Sequence, residues 1–173
     1  MSLPLKEGAT NDVPGTGSAN ADVVFIGEAP GKHEDEKGVP FCGAAGKFLD
    51  ELLASIDLTR EDVFITNIVK HRPPENRDPK PEEAQAYWPY LEQQLAVIEP
   101  KVIVVLGRHS LARLMPGLGT ISMLHGRAFK KQNRTYMALY HPAVALYNGG
   151  MRKVLLEDFQ KLGILLKKLN IKK

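Results

Sequence analysis

Three apolar runs along the chain have the length and composition of buried strands. They lie near residues 22–26, 63–66 and 101–106, and the last continues after Lys101 as an unbroken series of Val, Ile and Leu. Such runs are typical of parallel strands that are covered on both faces. Segments 126–130 and 135–139 flank a polar turn and indicate a hairpin whose second arm enters the sheet as a fourth strand.

Segments with helical spacing of apolar residues lie between and after these strands. They are predicted at 47–56, 81–98, 110–115 and 151–169. Strands that alternate with helices predict an α/β fold. We expect a three-layer α/β/α sandwich with a mainly parallel four-stranded central sheet. Residues 1–20 are poor in large apolar side chains, so we expect an irregular lead-in there, followed by a single domain over 21–173.

The composition is that of an ordinary globular protein. Of the 173 residues, 43% are hydrophobic and 25% are charged, and the formal net charge of +3 permits a polyanionic partner without requiring one. No apolar run approaches the roughly 20 residues of a membrane span, and the amino-terminal residues lack a signal-peptide pattern. We therefore expect a cytoplasmic protein with no membrane partner. Cys42 is the only cysteine in the sequence, which excludes an internal disulfide and an all-cysteine metal site within it.

The segment after the first strand is the most unusual part of the chain. Residues 27–46 are rich in Gly and Pro and contain several acids and Phe41. We interpret this segment as a long loop at the carboxyl end of a strand, where ligands bind in open α/β sheets. Asn67 and His141 follow two other predicted strands. The sequence therefore predicts that three segments converge on one pocket.

Three motifs occupy these positions. They are Gly27-Glu28-Ala29-Pro30-Gly31, Thr66-Asn67-Ile68-Val69-Lys70 and His141-Pro142-Ala143. In this order they resemble the uracil-DNA glycosylase superfamily, most closely its type-4 branch, over about residues 4–169. The resemblance implies a monofunctional repair glycosylase, which flips uracil out of DNA and hydrolyses its N-glycosidic bond to leave an abasic site. It also implies uracil-containing DNA as partner, and we expect a monomer.

The resemblance assigns the uracil pocket to six residues: Gly27, Glu28, Glu34, Phe41, Asn67 and His141. Glu28 and His141 are the predicted catalytic residues. His141 is expected to donate to uracil O2, and Glu28 to orient the water and favour the cationic sugar. The Asn67 carboxamide can donate to O4 and accept from N3–H, a pattern that cytosine inverts. Phe41 is expected to stack on the flipped base, and Glu34 to exclude the methyl group of thymine.

Further residues are predicted to contact DNA: Gly31, Ser122, Gly126, Arg127, Leu146, Tyr147 and Asn148. Leu146 is expected to fill the space left by the flipped base. Tyr147 departs from the family, which usually has Arg there. His33 and His109 are interpreted as structural or exposed, and His125 lies in a loop near the predicted DNA edge.

The family normally binds a four-iron cluster through four cysteines, but this chain has His71 and Tyr87 at the two middle positions. We therefore expect no metal and no cofactor, with packing of Tyr87, Trp88 and Tyr90 in place of the cluster. Two alternatives remain open from the sequence. One is a relative with an altered base range that includes hypoxanthine or xanthine, and the other is a non-catalytic nucleic-acid-binding relative.

Overall fold

A computed structural model describes residues 2–171. Within them lies one sheet of six strands: β1 (Thr16–Gly17), β2 (Val23–Gly27), β3 (Phe64–Asn67), β4 (Val102–Leu106), β5 (Arg127–Lys131) and β6 (Arg134–Leu139). The strand order is β1-β3-β2-β4-β6-β5. The four inner strands are parallel, and both outer strands pair antiparallel with their neighbours. The predicted α/β fold is confirmed, but its count of four strands was wrong, since those four are only the parallel centre.

The two additional strands lie at the edges of the sheet. β1 is two residues long, and it pairs Thr16 with Ile65 and Gly17 with Phe64. A Cβ atom on Gly17 would lie 1.9 Å from the Val63 carbonyl oxygen, so this close approach requires glycine. β5 is the mostly exposed first arm of the predicted hairpin. Neither edge strand has the continuous apolar run that identifies a central strand.

Seven helices accompany the sheet within the described residues: α1 (Lys32–Lys37), α2 (Ala44–Ala54), α3 (Pro81–Ile98), α4 (Arg108–Leu114), α5 (Ile121–Leu124), α6 (Val144–Tyr147) and α7 (Gly150–Lys168). One hydrophobic cluster joins α3, α4 and α5 to one face of the sheet, and a second joins α2 and α7 to the other face. Val24 and Ile26 belong to the first cluster, whereas Val23 and Phe25 belong to the second. This alternation along β2 produces three layers. No helix in residues 2–171 is long and apolar enough to cross a membrane.

The prediction of a long loop over segment 27–46 was wrong, because part of this segment is helical. It contains α1, which ends at Gly38 with a positive φ of 69°, where the Gly38 N–H donates to the Glu34 carbonyl oxygen. Asp35 of this helix is buried, and its carboxylate accepts from the backbone N–H groups of Thr10 and Asn11. A polar residue expected in a loop therefore ties the amino-terminal residues to the domain.

Candidate active site

Gly27 and Asn67 lie side by side at the carboxyl ends of β2 and β3. They are register partners in this parallel pair, and the Ile68 N–H donates to the Gly27 carbonyl oxygen at 2.9 Å. A Cβ atom on Gly27 would lie 2.4 Å from Asn67 Oδ1 and 3.0 Å from Phe41 Cζ. Because Gly27 has no side chain, the Asn67 carboxamide and the Phe41 ring can approach each other. Asn67 itself is buried.

Phe41 is held in a backbone conformation that side chains rarely adopt. Its φ is 51°, in the left-handed region, and its side chain is buried. The Arg60 guanidinium donates to the carbonyl oxygens of Pro40, Phe41 and Gly46, and thereby fixes the turn. Backbone strain of this kind persists only where surrounding contacts enforce it, and it is common at functional sites.

His141 follows β6, and its ring stacks on Phe41 with the centroids 5.2 Å apart. The backbone N–H of Ala143 donates to His141 Nδ1 at 3.1 Å, so a neutral ring carries its proton on Nε2. Burial lowers the pKa of His141 to about 4. At neutral pH the side chain is therefore a neutral imidazole with a fixed Nε2–H donor.

Glu28 lies next to Gly27, and its carboxylate faces a histidine. Its Oε2 atom is buried, has no hydrogen-bond partner among residues 2–171 and lies 3.4 Å from His109 Nδ1. His109 Nε2 lies 3.3 Å from Asp78 Oδ2. Burial and the nearby charge of Arg113 lower the pKa of His109. The interpretation of His109 as only structural or exposed missed this contact, although its position just after β4 places it at the same sheet edge as Asn67 and His141.

Glu28 and His141 line a cavity of about 490 Å³, together with His109, Tyr140 and Tyr147. Helix α6 carries Leu146 and Tyr147, which are 56% and 79% exposed, directly after His141-Pro142-Ala143. A larger cavity of about 860 Å³ lies near the amino ends of β2 and β3, where Val23 and Val63 line it. The predicted chemistry is all at the opposite edge, so we take the smaller cavity as the candidate site.

The other predicted DNA contacts lie on separate surface segments. Ser122, Arg127 and Asn148 are exposed, and Gly31 precedes α1. Gly126 has a φ of 74°, and its N–H donates to the Ala138 carbonyl oxygen at 2.8 Å. Next to it, His125 Nδ1 lies 2.6 Å from the buried carboxylate of Asp158. The loop before β5 is therefore anchored to α7.

Glu34 is half-buried in α1. Burial raises the pKa of the Cys42 thiol, and the nearby charge of Glu34 raises it further. This places Glu34 near the Phe41 turn. No contact between Glu34 and Asn67 or His141 occurs among the hydrogen bonds and ion pairs of residues 2–171. Its predicted role against thymine therefore depends on how a base would enter.

The residues present at the cluster positions do not fit an iron–sulfur group. His71 is buried, and its Nδ1 lies 2.7 Å from the Tyr87 hydroxyl while its Nε2 lies 2.5 Å from Asp12 Oδ1. With a neutral His71 ring, the Asp12 carboxylate accepts from Nε2–H and the Tyr87 hydroxyl donates to Nδ1. Burial raises the pKa of Tyr87 to about 12, which keeps this donor protonated. Both ring nitrogens of His71 are thus used within the protein.

Comparison with known proteins agrees with this geometry. A family model described as the Uracil DNA glycosylase superfamily matches residues 14–162, and the chain belongs to that superfamily. It is 48% identical over 168 residues to the Type-4 uracil-DNA glycosylase of Archaeoglobus fulgidus, covering 92% of this chain and 84% of that protein. It is 47% identical over 162 residues to the Type-4 uracil-DNA glycosylase of Sulfurisphaera tokodaii, covering 88% of this chain and 74% of that protein.

Proposed function

We propose that the chain is a monofunctional uracil-DNA glycosylase, which removes uracil from DNA and leaves an abasic site. One observation carries this proposal: Asn67 and Phe41 approach each other over Gly27 at one sheet edge, and the His141 ring stacks on Phe41. Relatives named Type-4 uracil-DNA glycosylase, 47–48% identical over most of this chain, support it. We further propose that residues 21–173 act as one domain, that the protein is a cytoplasmic monomer and that uracil-containing DNA is its partner.

In the proposed reaction the C1′–N1 bond breaks and its electron pair leaves with uracil. Negative charge then grows on uracil O2, where the Nε2–H of His141 can donate. Water supplies the hydroxyl group that bonds to C1′, and its proton passes to the Glu28 carboxylate and then to solvent. The same carboxylate favours the positive charge that develops on the sugar. A neutral His141 suffices because its role is hydrogen-bond donation.

Base selection is assigned to the buried Asn67 carboxamide. Uracil offers an acceptor at O4 and a donor at N3–H, whereas cytosine offers the reverse pattern and would leave buried polar groups unpaired. Phe41 is proposed to stack on the base from its position against His141. Gly27, whose lack of a side chain brings these groups together, and Glu34 complete the proposed pocket.

Contacts to the DNA backbone are assigned to the exposed segments around this cavity. Gly31, Ser122, Gly126, Arg127 and Asn148 are proposed to face phosphates, with Leu146 filling the space of the flipped base and Tyr147 beside it. A lyase reaction is not proposed, because it needs a free amine. The Lys70 amine, which is near Asn67, is surrounded by three hydrogen-bond acceptors.

We propose that catalysis needs no cofactor. The sequence contains one cysteine, and His71 and Tyr87 hydrogen-bond each other where two cluster ligands are expected. We expect purified protein to contain no stoichiometric iron, and elemental analysis that finds it would overturn this part of the proposal.

The function is tested by single-turnover cleavage, with enzyme in excess over a labelled oligonucleotide that carries one uracil, followed by alkali. We expect a strand break at uracil and none at cytosine or thymine. Oligonucleotides with hypoxanthine or xanthine measure the base range in the same assay. Binding of the uracil oligonucleotide without any cleavage would overturn the proposal in favour of a non-catalytic binder.

A further inference from the structure

A buried lysine contacts the backbone of Asn67. Lys70 is only 6% exposed. Its Nζ atom lies 2.6 Å from the Asn67 carbonyl oxygen, 2.7 Å from Thr66 Oγ1 and 2.7 Å from Gln94 Oε1 on α3. An ammonium group has three N–H donors, so each of these acceptors receives one.

The partners of Lys70 are themselves oriented as acceptors toward it. The Thr66 hydroxyl donates to the Pro14 carbonyl oxygen at 2.7 Å, and the Gln94 Nε2 donates to the same oxygen at 2.7 Å. The Thr66 hydroxyl proton and the Gln94 amide group are thus already committed to Pro14. A neutral amine has only two N–H donors and would leave one of the three acceptors unbound.

This network ends on the backbone of the residue that is proposed to read the base. The Asn67 carboxamide has no hydrogen-bond partner among residues 2–171, so its direction follows from its backbone and from the space left by Gly27. Asn67 is also the last residue of β3. The next two residues donate to the β2 side, Ile68 N–H to the Gly27 carbonyl oxygen and Val69 N–H to the Glu28 carbonyl oxygen. The ammonium group of Lys70 binds the carbonyl oxygen of Asn67 itself and links it to α3.

Within the part of the chain that the structure describes, the buried charge of Lys70 has no acidic partner. The groove beside it is lined by Pro14 and Ala19 from the lead-in, Phe64 from β3, and Tyr90, Gln93, Gln94, Val97 and Ile98 from α3. Tyr90 is the only other titratable group among these lining residues. Asp12, two residues before Pro14, has its carboxylate bound to His71 and not to Lys70. Burial lowers the pKa of Lys70 to about 7. Burial of an unpaired charge is costly, which favours a functional reason for it.

We propose that Lys70 is a positioning residue for base recognition, whose ammonium group ties the carbonyl oxygen of Asn67 to α3 and so fixes the Asn67 carboxamide against the uracil edge. This inference rests on the proposed role of Asn67. It assigns no contact between Lys70 and the base, and Lys70 takes no part in bond breaking.

The test compares Lys70→Met with Lys101→Met in single-turnover cleavage of a uracil oligonucleotide, at a temperature where circular dichroism shows both variants folded. Lys101 is 58% exposed at the amino end of β4, where it pairs with Asp22, and is the matched control. We expect Lys70→Met to cleave on the order of 10- to 100-fold more slowly, because small misplacements of a positioned group have large effects on rate. Its affinity for the oligonucleotide should stay within about twofold, and Lys101→Met should match the parent. A purely structural role would lower the unfolding temperature and leave the rate unchanged, and that result would overturn the inference.

Two further measurements keep the test decisive. Gln94→Leu removes one acceptor while Lys70 stays, so it reports on the same network if Lys70→Met does not fold, and it should also slow cleavage. The parental rate should fall between pH 6 and pH 8.5 as the third N–H of Lys70 is lost, and this fall should be weaker in the variants.

Asn67→Asp in the same assay distinguishes a failure of the Lys70 inference from a failure of the proposed role of Asn67. If Asn67→Asp is impaired and both network variants are not, only the Lys70 inference is wrong; if Asn67→Asp cleaves normally, the proposed role of Asn67 is wrong.

Discussion

The rings of Phe41 and His141 stack with centroids 5.2 Å apart and an angle of 23° between their planes. Phe41 comes from the turn between α1 and α2, and His141 follows the last strand of the sheet. Phe41, which is proposed to stack on the base, therefore also covers one face of the His141 ring, which is proposed to stabilise the leaving group. Because the rings are in contact, removal of either one also changes the surroundings of the other.

His141→Ala should lower the rate of the chemical step far more than it lowers affinity for uracil-containing DNA. Charge on uracil O2 grows only as the glycosidic bond breaks, so the donor gains most in the transition state. We expect a loss on the order of 100- to 1000-fold. Single-turnover cleavage and equilibrium binding on one oligonucleotide measure the two effects. Phe41→Ala should instead weaken both, and parental cleavage by His141→Ala would reduce His141 to a positioning residue.

The stability of the protein should fall as the pH is lowered from about 6.5 toward 4, in part because of His141. Its pKa is about 4 in the folded protein and 6.5 without burial. Between these values the unfolded chain binds more protons, so the free energy of unfolding decreases as the pH falls. Urea unfolding of His141→Gln at pH 7 and pH 4.5 should show a smaller decrease than the parent. His33→Gln, whose ring is 69% exposed, is the control and should behave as the parent does.

Asn67→Asp should weaken uracil excision and admit some cytosine excision. A carboxylate accepts at the position where the amide donated, which matches the N4 amino group of cytosine and not O4 of uracil. Because protonation would restore a donor, the assay belongs well above the ordinary carboxyl pKa of about 3.9. Cleavage of uracil and cytosine oligonucleotides by parent and variant gives the ratio, and an unchanged uracil rate would show that Asn67 does not read the base.

Tyr147→Arg should tighten DNA binding and steepen its dependence on salt. Tyr147 is 79% exposed beside the candidate site, and a cation there would release one more counterion from the phosphates. The control is Ile164→Arg, which adds the same charge to an exposed position on α7 that lines the cavity near the amino ends of β2 and β3. Titrations at several salt concentrations measure the slope. Equal effects of the two variants would place residue 147 away from the DNA backbone.

Tyr87→Phe should destabilise the protein by about 1–3 kcal/mol, because it leaves buried His71 Nδ1 without its donor. Tyr90→Phe, at a position 46% exposed, is the control and should have little effect. Urea denaturation of both variants compares the free energies of unfolding. A loss of stability in Tyr87→Phe that is no larger than in Tyr90→Phe would show that the His71 network does not support the fold.

The parallel centre of the sheet could be predicted because three of its strands contain continuous apolar runs and the fourth, β6, follows a polar turn as the second arm of a hairpin. Gly27, Asn67 and His141 could be placed at one edge for the same reason, since parallel strands share a carboxyl end. β1 and α1 were missed because contacts distant in sequence stabilise them: β1 pairs with β3, and the carboxylate of Asp35 in α1 accepts from the backbone of residues 10 and 11. The left-handed backbone of Phe41 likewise depends on Arg60, nineteen residues later.

The network at His71 shows a different limit. The sequence indicates that His71 stands where the family has a cysteine. It led to the prediction that packing of Tyr87, Trp88 and Tyr90 takes the place of the cluster. In the structure Tyr87 acts through its hydroxyl group, whereas Trp88 donates to Glu92 and Tyr90 is largely exposed. Asp12 completes the network from a lead-in that offered no pattern. Pairing of polar groups across the fold has no period along the chain and cannot be predicted from spacing.

The position of β6 in the strand order also determines when the pocket can first exist during synthesis. His141 reaches the site only after β6 pairs with β4, whereas Asn67 is placed by β3 and β2. A growing polypeptide that has completed β2, β3 and β4 can thus contain the base-reading half long before the residue proposed to stabilise the leaving group. Chains truncated before residue 141 should therefore lack cleavage activity even where β2, β3 and β4 have paired.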